Sequence, residues 1–219
     1  MKKTNQFISS ILLLSLLLAG CSNEVISTSD EIESTNEGSS EETSTPVLSF
    51  DFTQEDLQEE VYDETIISLN GTSASFEGSG VSVEGGIITI SADGDYVIAG
   101  TLNEGQLVVE AADDAQVHIV FAGVSITNSS GAAVVINRSD KTIITLQDGT
   151  SNVLKDGSSY TQSEEEPNAT LYSTSDLVLN GSGELIISAN NNHGIYSLDD
   201  LRLIDVNISV DANNDAIKL

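Results

Sequence analysis

Asp176 and Asp200 occupy equivalent places in the chain, each at the head of a short apolar run: Leu177-Val178-Leu179 in one case, Leu201-Arg202-Leu203 in the other. Asn190-Asn191-Asn192 recurs in the same way as Asn213-Asn214-Asp215. If these segments stack as neighbouring strands, equivalent residues lie about 4.8 Å apart. Two carboxylates at about 5 Å repel by roughly 1 kcal/mol in water and several times that near a protein surface. Such a column calls for a cation, and hard oxygen ligands suit calcium. The expected ligands are Asp176, Asn192, Asp199, Asp200 and Asp215. Asn213 reads as part of a structural asparagine ladder, and the spacing matches neither an EF-hand nor a glycine-rich nonapeptide repeat.

The elements that must position these residues are strands. Leu171-Tyr172-Ser173 is echoed by Ile195-Tyr196-Ser197, and a third copy begins at Ile217. The runs are short, β-branched and broken by Gly, Asn and Asp, which excludes long helices. A near-constant interval between such copies predicts an all-β parallel β-helix, a solenoid whose successive coils pair. Tyr172 should then stack on Tyr196, as an aromatic ladder or a short sugar platform. Turn signals at Asn70-Gly71, Gly85-Gly86, Asp93-Gly94, Asp148-Gly149 and Asn180-Gly181 separate further strand-like runs from residue 65 onward. The polar stretch 156–168 breaks the rhythm and reads as an inserted loop. Leu219 falls inside a strand-like run with no cap after it, so the solenoid is expected to be truncated at its C-terminus.

Residues 1–20 read as a targeting segment. Lys2 and Lys3 precede an apolar run too short for a membrane span, which ends at Leu18-Ala19-Gly20-Cys21. This site resembles a bacterial lipobox, with cleavage before Cys21 and a lipid on its thiol. That implies an extracytoplasmic, lipid-anchored protein at the cell membrane or surface. Residues 21–46, rich in Ser, Thr and Glu, read as a disordered tether, and 47–219 as one domain. Segment 48–62, acidic and irregular, reads as a cap. The whole chain carries a formal charge of −28, with 35 acidic and 7 basic residues. That balance excludes nucleic acid and anionic lipid surfaces as partners; membrane contact is through the anchor alone. A single cysteine excludes internal disulfides.

Arg202 and Lys218 are the bases of the last repeats. A lyase acting on uronates needs a base beside a metal to remove the proton alpha to the carboxylate, and Lys218 closely follows Asp215. Binding a ligand carboxylate is the commoner role for such a lysine. His118, in an apolar run, reads as structural, and His193 as a polar turn residue. No Ser-His-Asp or Cys-His constellation is visible. Without Trp, any aromatic platform falls to Tyr160, Tyr172 and Tyr196.

Several motifs follow one another in a recognisable order. Ile88-Thr89-Ile90-Ser91-Ala92-Asp93-Gly94-Asp95-Tyr96 is followed by Val124-Ser125-Ile126-Thr127-Asn128-Ser129-Ser130-Gly131. Ile144-Thr145-Leu146-Gln147-Asp148-Gly149-Thr150 and Asn192-His193-Gly194-Ile195-Tyr196-Ser197-Leu198-Asp199-Asp200 complete the series. Together they resemble the pectate-lyase-like carbohydrate-binding domain family of bacterial surface lipoproteins, over roughly 50–219. The resemblance implies a right-handed parallel β-helix carrying calcium. It also implies affinity for acidic plant polysaccharide such as polygalacturonate, and for cellulose. Tyr196, Arg202 and Lys218 are the expected sugar contacts. The reading leans against catalysis; its alternatives are an adhesive solenoid for another glycan or host target, and a calcium-dependent polysaccharide lyase.

Overall fold

The computed structural model describes residues 52–62, 64–160 and 167–219. All of them belong to one unit, Ser49–Leu219. The expected leader 1–20, Cys21 and the tether 21–46 lie outside the described residues.

The regular structure of the described residues is all strand. In chain order these are β1 (Thr65–Gly71), β2 (Ala74–Glu77), β3 (Val81–Glu84), β4 (Ile87–Ile90), β5 (Gly94–Leu102), β6 (Gln106–Glu110), β7 (Gln116–Asn128), β8 (Val134–Arg138) and β9 (Lys141–Leu146). There follow β10 (Ser151–Asp156), β11 (Ala169–Ser173), β12 (Asp176–Asn180), β13 (Glu184–Ala189), β14 (His193–Ser197), β15 (Leu201–Leu203), β16 (Asn207–Ala212) and β17 (Ile217–Lys218).

They form two sheets. A ten-stranded sheet runs β15-β12-β9-β7-β10-β13-β16, with β5, β1 and β2 joined to it through β7, and a seven-stranded sheet runs β17-β14-β11-β8-β6-β4-β3. Both are mixed: β1 and β2 pair antiparallel, as do β3 and β4, while the remaining pairs are parallel. The expected closed right-handed solenoid is therefore overturned: the chain builds two mixed sheets. Two local features produce them. The Gly85-Gly86 turn, with Gly85 at φ +60°, reverses the chain into a tight hairpin between β3 and β4. In addition, residues from Val117 through Val124 and beyond belong to one strand of 13 residues, β7. Its first half pairs with β9 and its second with β10, so it fans two sets of neighbours into one sheet.

The repeat does set the parallel register. Tyr172 pairs with Tyr196, Leu177 with Leu201, Leu185 with Ile208 and Ile195 with Ile217. The asparagine ladder is present: the Asn213 amide donates to the Asn190 carbonyl, and the Asn190 amide donates to the Asp156 carbonyl at 2.9 Å. The core lies between the inner faces, where Ile67, Ile98, Phe121, Ile144, Leu177 and Leu185 from one sheet meet Ile88, Val134, Leu171 and Ile195 from the other. Strand β13 shows the alternation of a half-buried strand, whereas every residue of β9 is buried, Lys141 and Thr145 included. Its outer face is covered by the segment that precedes β1.

Candidate functional site

The parallel register lays a row of side chains across the outer face of the seven-stranded sheet. Val108 pairs with Val135, Val135 with Tyr172, Tyr172 with Tyr196, and Tyr196 with Lys218. The row passes from apolar to aromatic to cationic within a few strand spacings. Its apolar end is a second cluster, separate from the core, of Ala132, Val135, Ala169 and Tyr172, with Tyr160 and Tyr196 packed against it. Tyr160 donates to Asp156 at 2.7 Å, and burial, then this bond, pushes its phenol far above the ordinary range.

Tyr172 and Tyr196 meet edge to face, with centroids 5.7 Å apart and ring planes at 75°. Their edge-to-face packing holds Tyr196 against the buried Tyr172, but the two rings do not make one flat platform. Lys218 Nζ stands 4.5 Å from the Tyr196 centroid. His193 is buried beneath them: its ring centroid is 5.7 Å from that of Tyr196, and its Nε2 is 3.5 Å from Lys218 Nζ. Asp215 Oδ2 lies 3.2 Å from His193 Nδ1, yet that nitrogen has no hydrogen-bond partner. Burial depresses the His193 pKa, Lys218 depresses it further, and Asp215 only partly opposes them. His193 therefore takes up a proton less readily than a free imidazole. Gly194 makes the approach possible, because a Cβ there would sit 2.6 Å from the Ala216 carbonyl of the neighbouring segment. The Gly194 and Ile195 amides donate to Asp215 and Ala216, both at 3.0 Å, and fix β17 beside β14.

Of the expected sugar contacts, Tyr196 and Lys218 are brought together. Arg202 is not: it lies on β15, in the other sheet. The expected metal ligands also divide between two places. Asp200 accepts from Arg202 Nη2 at 2.9 Å, and Asp176 lies 3.5 Å from Nη1 of the same guanidinium. Asp199 accepts from the Asp200 amide at 3.1 Å. Asn192 and Asp215 belong instead to the His193 neighbourhood, where the Asn192 carbonyl accepts from Asn214. Among the described residues, no group of three or more acids, histidines or cysteines gathers around one point. These five residues therefore do not fit a calcium site made by the protein alone: Arg202 supplies the counter-charge that the Asp176–Asp200 column needs.

Two residues absent from the sequence reading dominate the other sheet. Asp56 is fully buried and accepts from Lys141 Nζ at 2.7 Å. Lys141 pairs in register with Asp176. The stretch of chain between them is longer than one repeat because 157–168 intervenes, so the repeat gave no sign of the pairing.

The family described as "Carbohydrate-binding domain-containing protein" matches residues 84–219. The chain belongs to this family. The match covers the paired sheets from the β3–β4 hairpin onward and begins later than the resemblance over 50–219 implied. A carbohydrate-binding domain-containing protein of Acetivibrio thermocellus is 37% identical over 136 residues, which are 61% of this chain and 48% of that protein. The chain thus spans about half the length of the curated relative it matches. A solved structure titled "Structure of the polysaccharide lyase-like protein from C. thermocellum, Gadolinium derivative" is similar at 33% identity with a TM-score of 0.66, over 68% of this chain and 62% of that one. In this carbohydrate-binding domain family member, every residue of the Tyr172–Tyr196–Lys218 row lies inside the matched segment.

Proposed function

We propose that the outer face of the seven-stranded sheet binds a polysaccharide, and that Lys218 gives it a preference for acidic chains of the polygalacturonate type. The observation that carries this reading is Lys218 Nζ held over the half-buried Tyr196 ring, with the His193 imidazole at its side. An aromatic face with a polar rim suits the mixed apolar and hydroxyl surface of a sugar. A uronate carboxylate beside Lys218 would form a charge-assisted bond. Depletion of the protein from solution by insoluble polygalacturonate and by cellulose, for wild type and Tyr196→Ala, tests this. Unchanged depletion of the variant overturns it.

Calcium enters this reading as an ion shared between protein and glycan, and repeating the assay in EDTA tests that part. A lyase reading is favoured by one feature, the His193 imidazole, whose Nδ1 has no hydrogen-bond partner and whose Nε2 lies 3.5 Å from Lys218 Nζ. Release of unsaturated uronide, followed by absorbance, would establish it. Binding is preferred because the Lys218 ammonium is engaged over the ring. We propose further that Cys21 carries a lipid and that residues 21–46 hold the domain off an extracytoplasmic membrane surface.

A further inference from the structure

Residues 53–62 run across the outer face of the ten-stranded sheet, opposite the side of the molecule that bears Tyr196. Thr53 and Asp56 close a reciprocal turn, with the Thr53 amide donating to Asp56 Oδ2 at 2.8 Å. Of residues 52–60, Asp56 alone is buried, while Phe52 and Leu57 are 46% and 41% exposed. Polar contacts hold the segment down around Asp56 and Gln58, while Val61, half-buried, sits beside Val97 and Val120. The sheet meets it with two cations among two acids: Lys141 Nζ gives to the Asp56 carboxylate at 2.7 Å, and Arg202, which also serves Asp200 and Asp176, has its Nε 4.0 Å from the other carboxylate oxygen; Asn180 and Thr145 add neutral polar groups. Asn180 Nδ2 gives to the carbonyls of Asp56 and Gln58 at 2.9 and 3.0 Å. Thr145 Oγ1, which donates to Asn180 Oδ1, lies 3.3 Å from the Gln58 carbonyl and orients the Asn180 amide toward the segment. These groups recognise a carboxylate and a run of neutral oxygens rather than apolar side chains. A uronate chain presents that pattern. The groove residues lie within 84–219, which matches the family, whereas the segment that fills the groove lies outside it.

We propose that Lys141, Arg202, Asn180 and Thr145 form a second site for acidic polysaccharide, and that residues 53–62 occupy it as an internal competitor, with Asp56 in the place of a uronate carboxylate. This rests on the reading that the protein binds carbohydrate. A glycan that enters the groove must release the segment, so this site opens only at high local glycan concentration.

Calorimetric titration of the full chain with an oligogalacturonate and with its neutral methyl ester tests the proposal. Asp56→Asn keeps the side chain's shape but weakens the competitor. It should raise affinity for the acidic oligomer about fivefold or more and leave the ester unchanged. The gain should vanish when Lys141→Gln is added and persist when Tyr196→Ala is added. If Asp56→Asn does not fold, hydrogen exchange on wild type decides: saturating oligogalacturonate should speed exchange at 53–58. Unchanged affinity in a folded Asp56→Asn, or unchanged or slower exchange in wild type, overturns the proposal. So does tighter binding of Asp56→Asn to a synthetic 52–62 peptide than to the oligomer, which would make the groove a peptide site. If Tyr196→Ala abolishes wild-type binding while Asp56→Asn changes nothing, this inference alone fails. No binding by any variant removes both readings.

Discussion

Lys218 Nζ stands over the ring of Tyr196, 4.5 Å from its centroid, because β17 pairs with β14 one strand spacing away. The contact ties the cation of the last repeat to the aromatic face of the one before it. Cation–π contacts of this kind contribute about 0.5–1 kcal/mol at exposed sites and more when water is excluded. Removing Tyr196 therefore does two things at once: it takes away a sugar-facing ring and frees the Lys218 side chain. Tyr196→Ala should weaken polygalacturonate binding by roughly tenfold, read by affinity electrophoresis, with a melting temperature close to that of wild type.

Gly194 offers a test that touches no ligand. Gly194→Ala forces a Cβ against both Val210 Cγ1 on β16 and the Ala216 carbonyl just before β17, so both must give way and Lys218 moves from its place over Tyr196. Polygalacturonate affinity should fall by several-fold even though both binding side chains are intact. Equal affinity would mean that the position of β17 does not matter to the site.

Stability should depend on pH through Asp56 and through the two histidines, His118 and His193. Burial would raise the Asp56 pKa, but the Lys141 bond, the Thr53 amide and the charges of Lys141 and Arg202 outweigh it, so the value is lowered. A depressed carboxylate adds stability above its unfolded value, near 3.9, and that stability is lost as pH falls through the lower folded value. Burial also lowers the His118 pKa, against the opposing pull of Asp95. Its contribution is present above the unfolded value near 6.5 and is lost as pH falls from there toward the folded value. Melting temperature against pH should show a decline beginning near 6.5 and a second one below about 4. The depressed His193 adds to the first decline, so His118→Gln should reduce it and His118→Gln with His193→Gln should remove it, while Asp56→Asn should remove the second.

Removing one member of a buried ion pair costs about 3–5 kcal/mol. Asp56→Ala should thus cost more than Leu177→Ala at the low end of its range, about 2–5 kcal/mol for a buried leucine. In a domain of this size each kcal/mol moves the melting temperature by roughly 2–4 °C. Adding EDTA in the absence of glycan should leave it essentially unmoved, since Arg202 already serves Asp176 and Asp200.

The repeat made the local pairing legible. Tyr172 opposite Tyr196 and Leu177 opposite Leu201 follow from the common interval between the copies. The same repeat could not show which strands share a sheet, because that depends on the Gly85-Gly86 hairpin and on the length of β7, which pairs with both β9 and β10. Arg202 illustrates the consequence. It is close to Tyr196 in sequence but on the other sheet, so a shared site for the two was not to be had. Lys141 and Asp56 escaped notice for another reason. They are far apart in the chain, and burial of a carboxylate on an otherwise exposed acidic segment has no periodic signature. His193 looked like a turn residue, and only the approach of β17 buries it.

The most direct test of the account is the charge preference of glycan binding. Affinity of wild type and Lys218→Gln is measured for polygalacturonate and for the same polymer fully methyl-esterified, at one fixed ionic strength. Wild type should prefer the acidic polymer by about tenfold, equivalent to about 1.4 kcal/mol, and Lys218→Gln should lose most of that preference. A preference that survives Lys218→Gln undiminished would contradict the placement of acidic-glycan recognition at the Tyr196–Lys218 row.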